Sequence, residues 1–94
     1  MNQPDYSPGR VVYSRKGRDR GRYFVVIERV DEDYVLIADG DLRRLSNPKK
    51  KKLKHLQSKP CRLDAIAEKL EAGQKVFDSE VRSALEAAGY NNRA

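Results

Sequence analysis

The residues best able to do chemistry in this 94-residue chain are cations gathered in two tight clusters. Arg15, Lys16, Arg18, Arg20 and Arg22 put five positive charges into eight residues, and Lys49, Lys50, Lys51, Lys52 and Lys54 put five into six. Cations at that density bind phosphodiester backbones, because each neutralised phosphate releases condensed counterions. Arginine adds forked hydrogen bonds to phosphate oxygens and can stack on an unpaired base. Gly17 and Gly21 lie inside the first cluster, where a backbone without Cβ can approach a ligand closely and offer its N–H groups. Tyr13, Tyr23 and Phe24 flank the same cluster. Such rings either fill a core or stack on splayed bases, and Tyr23 is the stacking candidate because it adjoins Arg22. Arg43 and Arg44 form a third basic pair, of which at most one can share a face with a given strand neighbour. The candidate RNA contacts are therefore Arg15, Lys16, Gly17, Arg18, Arg20, Gly21, Arg22 and Tyr23, with Arg43, Arg44, Lys49, Lys50, Lys51, Lys52 and Lys54.

Other chemistries find no residues to carry them. There is no paired acid–base set and no nucleophile spaced from a base, so an enzyme is not expected. Gly17 and Gly21 are not followed by the Lys-Ser/Thr of a phosphate-binding loop and open no helix. Cys61 is the only cysteine and His55 the only histidine, which excludes an internal disulfide and a zinc set. No metal, cofactor or small-molecule substrate is expected. No apolar stretch approaches the roughly 18 residues of a membrane span, and Met1–Asp5 lacks the pattern of an export signal. A cytoplasmic protein with no membrane partner is the expectation.

The formal charge of +6 is unevenly spread. Residues 1–62 hold 16 basic and 8 acidic residues, and residues 63–94 hold 4 and 6. Asp31, Glu32, Asp33, Asp39 and Asp41 fall within eleven residues, so a compact domain would have a positive side and a separate acidic edge. That edge would keep the protein soluble and monomeric, or meet a basic protein.

The elements that must position these groups change in kind along the chain. Val11-Val12-Tyr13, after the turn signal Pro8-Gly9, predicts a strand, and Ser14–Gly21 a polar loop. Tyr23–Ile27 is wholly β-branched or aromatic and apolar on both faces, as in a central strand. Asp31–Asp33 is a connection of hairpin length, and Tyr34–Ala38 the next strand. Asp39-Gly40 predicts a type I′ turn with Leu42–Leu45 as the returning strand. The lysine run follows Asn47-Pro48, and Leu53–Leu56 is a candidate last strand. Five short strands with tight turns imply a small, strongly bent antiparallel barrel. Leu63, Ile66, Ala67 and Leu70 then repeat at helical spacing, with Gly73 as a stop. Val81, Ala84, Leu85 and Ala88 repeat it, with Asp78 or Ser79 as N-cap and Gly89 as a stop.

The segment from Gly9 to Ile37 resembles a KOW motif: an apolar strand, a basic glycine-containing loop, and a second apolar strand. Gly21 stands at the motif's characteristic glycine and Gly17 at a second, commoner one. The family's usual glycine after the loop is replaced here by Tyr23-Phe24. With Leu42–Leu45 and Leu53–Leu56, the pattern resembles the KOW-type large-subunit ribosomal proteins of the fourteen-e, six-e and twenty-seven-e group. The whole chain is similar to short bacterial KOW-domain RNA-binding proteins related to that group, whose helical tails resemble Asp78–Leu85. The resemblance implies an SH3-like five-stranded barrel at residues 8–57, with a helical tail at 58–94. It also implies binding to ribosomal RNA in a ribonucleoprotein of translation or ribosome assembly.

Each cluster also has a plainer reading. A run of charge can be a solvated face, and the lysine run can be an arm that orders only on binding. SH3-like barrels often bind proteins, so a docking module working through the barrel or the tail, in a transcription complex for instance, is the alternative.

Overall fold

The computed structural model describes residues 5–90 and Asn92. Its strands are β1 (Arg10–Ser14), β2 (Tyr23–Arg29), β3 (Tyr34–Ala38), β4 (Lys49–Lys52) and β5 (Leu56–Arg62). Two helices follow, α1 (Asp64–Glu71) and α2 (Asp78–Ala87). All strand pairs are antiparallel, in one sheet of order β4-β3-β2-β1-β5. The two marginal strands, β4 and β5, are joined only by the 3₁₀ turn Leu53–His55. A sheet whose margins are so tethered must bend on itself, and the result is a small SH3-like barrel.

Two cores explain why β1 and β2 are apolar on both faces. Side chains alternate along a strand. Val12, Phe24, Val26, Val35, Ile37 and Leu56 form the barrel interior. Val11 and Val25, paired in the β1–β2 register, turn outward and join Leu63, Ile66, Val81 and Leu85 under the helices. The helices therefore cover one outer face of the barrel. Gly9 allows the closest approach: a Cβ there would lie 2.4 Å from the Ala67 Cβ, and its φ is +94°. The Gly9 carbonyl also accepts the Leu63 N–H at 2.8 Å, setting the chain's entry into α1. A Lys69–Glu80 ion pair ties α1 to α2.

The second half of the sheet departs from the sequence reading. Leu42–Leu45 is not a strand, and β3 pairs instead with the lysine run. The reason is Asp39. Its carboxylate is buried, and its Oδ1 accepts the N–H groups of Asp41 at 3.0 Å and Arg43 at 2.8 Å. Those bonds hold residues 39–43 as a loop, and Asp39 does not take the positive φ of a type I′ turn. Leu53–His55 is a 3₁₀ turn rather than strand, and β5 continues from Leu56 to Arg62. Pro60 is tolerated there because β5 is marginal and its ladder slips between Arg10 and Val12. At α2, Phe77 occupies the N-cap, one residue ahead of the expected caps, and its N–H donates to the Glu80 carboxylate at 2.8 Å.

Candidate nucleic-acid interface

The β1–β2 loop closes on itself before it meets anything else. The Ser14 N–H donates to the Arg22 carbonyl at 3.0 Å, and the Gly21 N–H to the Ser14 carbonyl at 2.9 Å. Two further turns, Arg20 N–H to Gly17 oxygen and Arg22 N–H to Asp19 oxygen, compact the tip. The N–H of the KOW-type glycine, Gly21, is thus engaged within the loop.

Asp19, the one acid among these cations, points inward and is 3% exposed. Its Oδ1 accepts from Ser14 Oγ at 2.8 Å and from Lys51 Nζ at 2.8 Å. Its Oδ2 lies 3.1 Å from Lys49 Nζ. Burial alone would raise this carboxyl's pKa, but the hydrogen bonds from Lys51, Ser14 and Lys49 prevail and hold it at about 2. Lys51 Nζ makes a second bond, to the Lys16 carbonyl at 2.6 Å, so the loop backbone wraps its ammonium. Gly17 leaves the room: its φ is +94°, and a Cβ there would meet Lys51 Nζ at 3.1 Å. Arg15 completes the joint. Its N–H donates to the His55 carbonyl at 2.9 Å and its guanidinium to the Lys54 carbonyl at 3.3 Å.

The lysine run is sorted by strand alternation. Lys49 and Lys51 face Asp19, while Lys50 and Lys52 face the Tyr34 ring, at 4.8 and 5.8 Å from its centroid. The Asp19 ties thereby join the two clusters, and Arg15, Lys16, Arg18, Arg20 and Lys54 are exposed in the joined segments, while the exposed Lys50 lies on the Tyr34 side of β4. Lys16, Arg18 and Arg20 make no ion pair with any described residue. The potential of the joined clusters registers at His55, whose pKa is lowered by desolvation and by the charges of Lys16, Lys54, Lys51 and Lys52.

Other candidate contacts lie elsewhere. Arg22 turns away and donates to Asp39 at 2.8 Å. With Arg44 it lines a separate cleft of about 340 Å³, shared with Arg82, Asp41 and Tyr90. Arg43 belongs to the Asp39 loop, half-buried. Tyr23 is the middle of a tyrosine row, 5.2 Å from Tyr13 and 5.0 Å from Tyr90 between ring centroids. Its backbone is clasped by the Asn92 amide. Phe24 is wholly buried in the barrel. The organising residue that sequence reasoning missed is Asp19. Its signal was its isolation: one acid inside a run of cations has abundant partners.

No protein-family model matches the chain. The large ribosomal subunit protein eL14 of Pyrobaculum calidifontis is 37% identical over 81 residues, covering 86% of this chain and 72% of that protein. The chain belongs to the eL14 family. The eL14 of Hyperthermus butylicus is 32% identical over 91 residues, covering 92% of this chain and 81% of its own. The eL14 of Pyrobaculum neutrophilum is 35% identical over 81 residues, with 86% and 72% covered. These eL14 relatives are archaeal, so they support kinship with the ribosomal KOW proteins and not a bacterial affiliation in particular. Among the described residues no helix is long and apolar enough to cross a membrane.

Proposed function

We propose that the protein binds ribosomal RNA of the large subunit and acts in translation or ribosome assembly. The observation that carries this reading is the joining, in a member of a ribosomal protein family, of two cation clusters through Asp19, with six further cations of those clusters left exposed. On this reading Arg15, Lys16, Arg18, Arg20, Lys50 and Lys54 neutralise phosphates, and the helices brace the barrel that presents them. The division into a barrel and a helical tail is part of the proposal, with the boundary after Arg62 rather than at 57 because β5 runs to Arg62 and pairs with β1; so are a cytoplasmic, ribosome-associated location and a monomeric state before assembly. Neighbouring ribosomal proteins are further partners, and the acidic Asp31–Asp33 turn is the surface suited to a basic one. The affiliation with bacterial KOW proteins rests on the motif resemblance alone. A primary role in protein docking is not favoured by the family.

A salt titration tests the proposal. Six phosphate contacts at about −0.7 to −0.9 each give a slope of log affinity against log salt of about −4 to −5. Binding of deproteinised large-subunit RNA with a slope near zero, or no binding at low salt, would refute it.

A further inference from the structure

We propose that Asp19 is the positioning residue of the RNA interface. It holds Lys49 and Lys51 as internal ties between the β1–β2 loop and β4, and so leaves Lys50, Lys54 and the loop arginines to meet phosphate. This rests on the RNA-binding reading above.

Three observations converge on it. The Asp19 carboxylate is buried and engages groups from two elements distant in sequence, Ser14 on β1 and Lys49 and Lys51 on β4. The Lys51 side chain is 6% exposed and its ammonium is already bonded to Asp19 and to the Lys16 carbonyl, so it has little to offer a phosphate. Gly17 is packed against that ammonium and Asp19 Oδ1, the latter 3.3 Å from where a Cβ would lie. A loop crowded with like charges repels itself, and a buried counter-charge removes that repulsion without presenting a negative charge to the ligand. Five lysines at 49–54 are therefore not five equivalent phosphate contacts.

The two accounts of Asp19 predict opposite signs. If only the charge of the face mattered, removing an acid would tighten RNA binding. If Asp19 positions the loop, removing it weakens binding although the net charge rises. The test uses the full chain and in-vitro-transcribed, deproteinised large-subunit RNA, with affinity followed by fluorescence anisotropy across a KCl series. Asp19→Asn, shown by circular dichroism to be folded at the assay temperature, is expected to bind at least fivefold more weakly. Lys50→Gln is expected to lower the salt slope by about 0.7 to 0.9, one phosphate contact. Lys51→Met is expected to weaken binding while leaving the slope unchanged. A folded Asp19→Asn that binds as tightly as the wild type, or more tightly, would overturn the proposal. Should Asp19→Asn fail to fold, Lys51→Met decides: a slope lowered as in Lys50→Gln means that Lys51 contacts phosphate, and the proposal fails. A wild type that does not bind the RNA would instead defeat the RNA-binding reading on which all of this rests.

Discussion

Reversing the charge of Arg18 and Arg20 isolates the loop's electrostatic contribution from its fold. Both residues are exposed and neither pairs with a described acid, so Arg18→Glu with Arg20→Glu breaks no internal contact. The double substitution changes the local charge by four units. With phosphates at about 6 Å in water, each unit is worth about 0.7 kcal/mol before screening. A Debye length of about 8 Å at physiological salt reduces the total to about 1.3 kcal/mol, which is about tenfold in affinity. The assay is anisotropy against large-subunit RNA at 150 mM salt, with thermal melting alongside. Surface changes of this kind move stability by about 0.5 kcal/mol or less, so the melting temperature should shift by only a few degrees. Affinity within twofold of the wild type, with the fold intact, would refute the assignment of the loop to RNA.

Three further outcomes follow from the same geometry. The Asp19 carboxyl is held at about 2 in the fold against an ordinary 3.8, so it contributes stability above pH 4 that is lost as the pH falls towards 2. The difference is worth about 2 kcal/mol, and acid titration followed by circular dichroism should show a flatter decline below pH 4 for Asp19→Asn than for the wild type. Gly9→Ala puts a methyl group into the Ala67 side chain at a positive φ and should cost about 2–3 kcal/mol, read by urea denaturation; a loss under 0.5 kcal/mol would contradict the tight barrel–helix contact. Leu85→Asp buries a carboxylate among Val11, Val25 and Val81 and should destabilise the domain by several kcal/mol, while RNA affinity measured below its melting point stays within a few-fold.

The parts legible in the sequence were those whose signal is local. Val11–Tyr13 and Tyr23–Ile27 are runs of β-branched and aromatic residues and Tyr34–Ala38 is an apolar run between turn signals, and each lies in a strand. The 3.6-residue spacing of Leu63–Leu70 and Val81–Ala88 gave both helices within a residue or two at their starts. What escaped depends on partners far along the chain. Four consecutive lysines have neither periodicity nor β propensity, and their alternation becomes visible only once Asp19 stands on one side and Tyr34 on the other. The Asp39-Gly40 hairpin signal predicts Leu42–Leu45 as a returning strand, yet the buried Asp39 carboxylate draws the backbone N–H of Arg43 into a loop. The same carboxylate takes Arg22 away from the basic face. In the candidate site the clustering of charge was legible; which cations are internal ties and which face solvent was not.

Sedimentation of the native protein from lysate through sucrose gradients tests the central claim most directly. The gradients are run at low and at high salt, with and without prior RNase treatment. Co-migration with large subunits at low salt, abolished by high salt and by RNase, is the predicted result. Migration at the top of the gradient under every condition would contradict it.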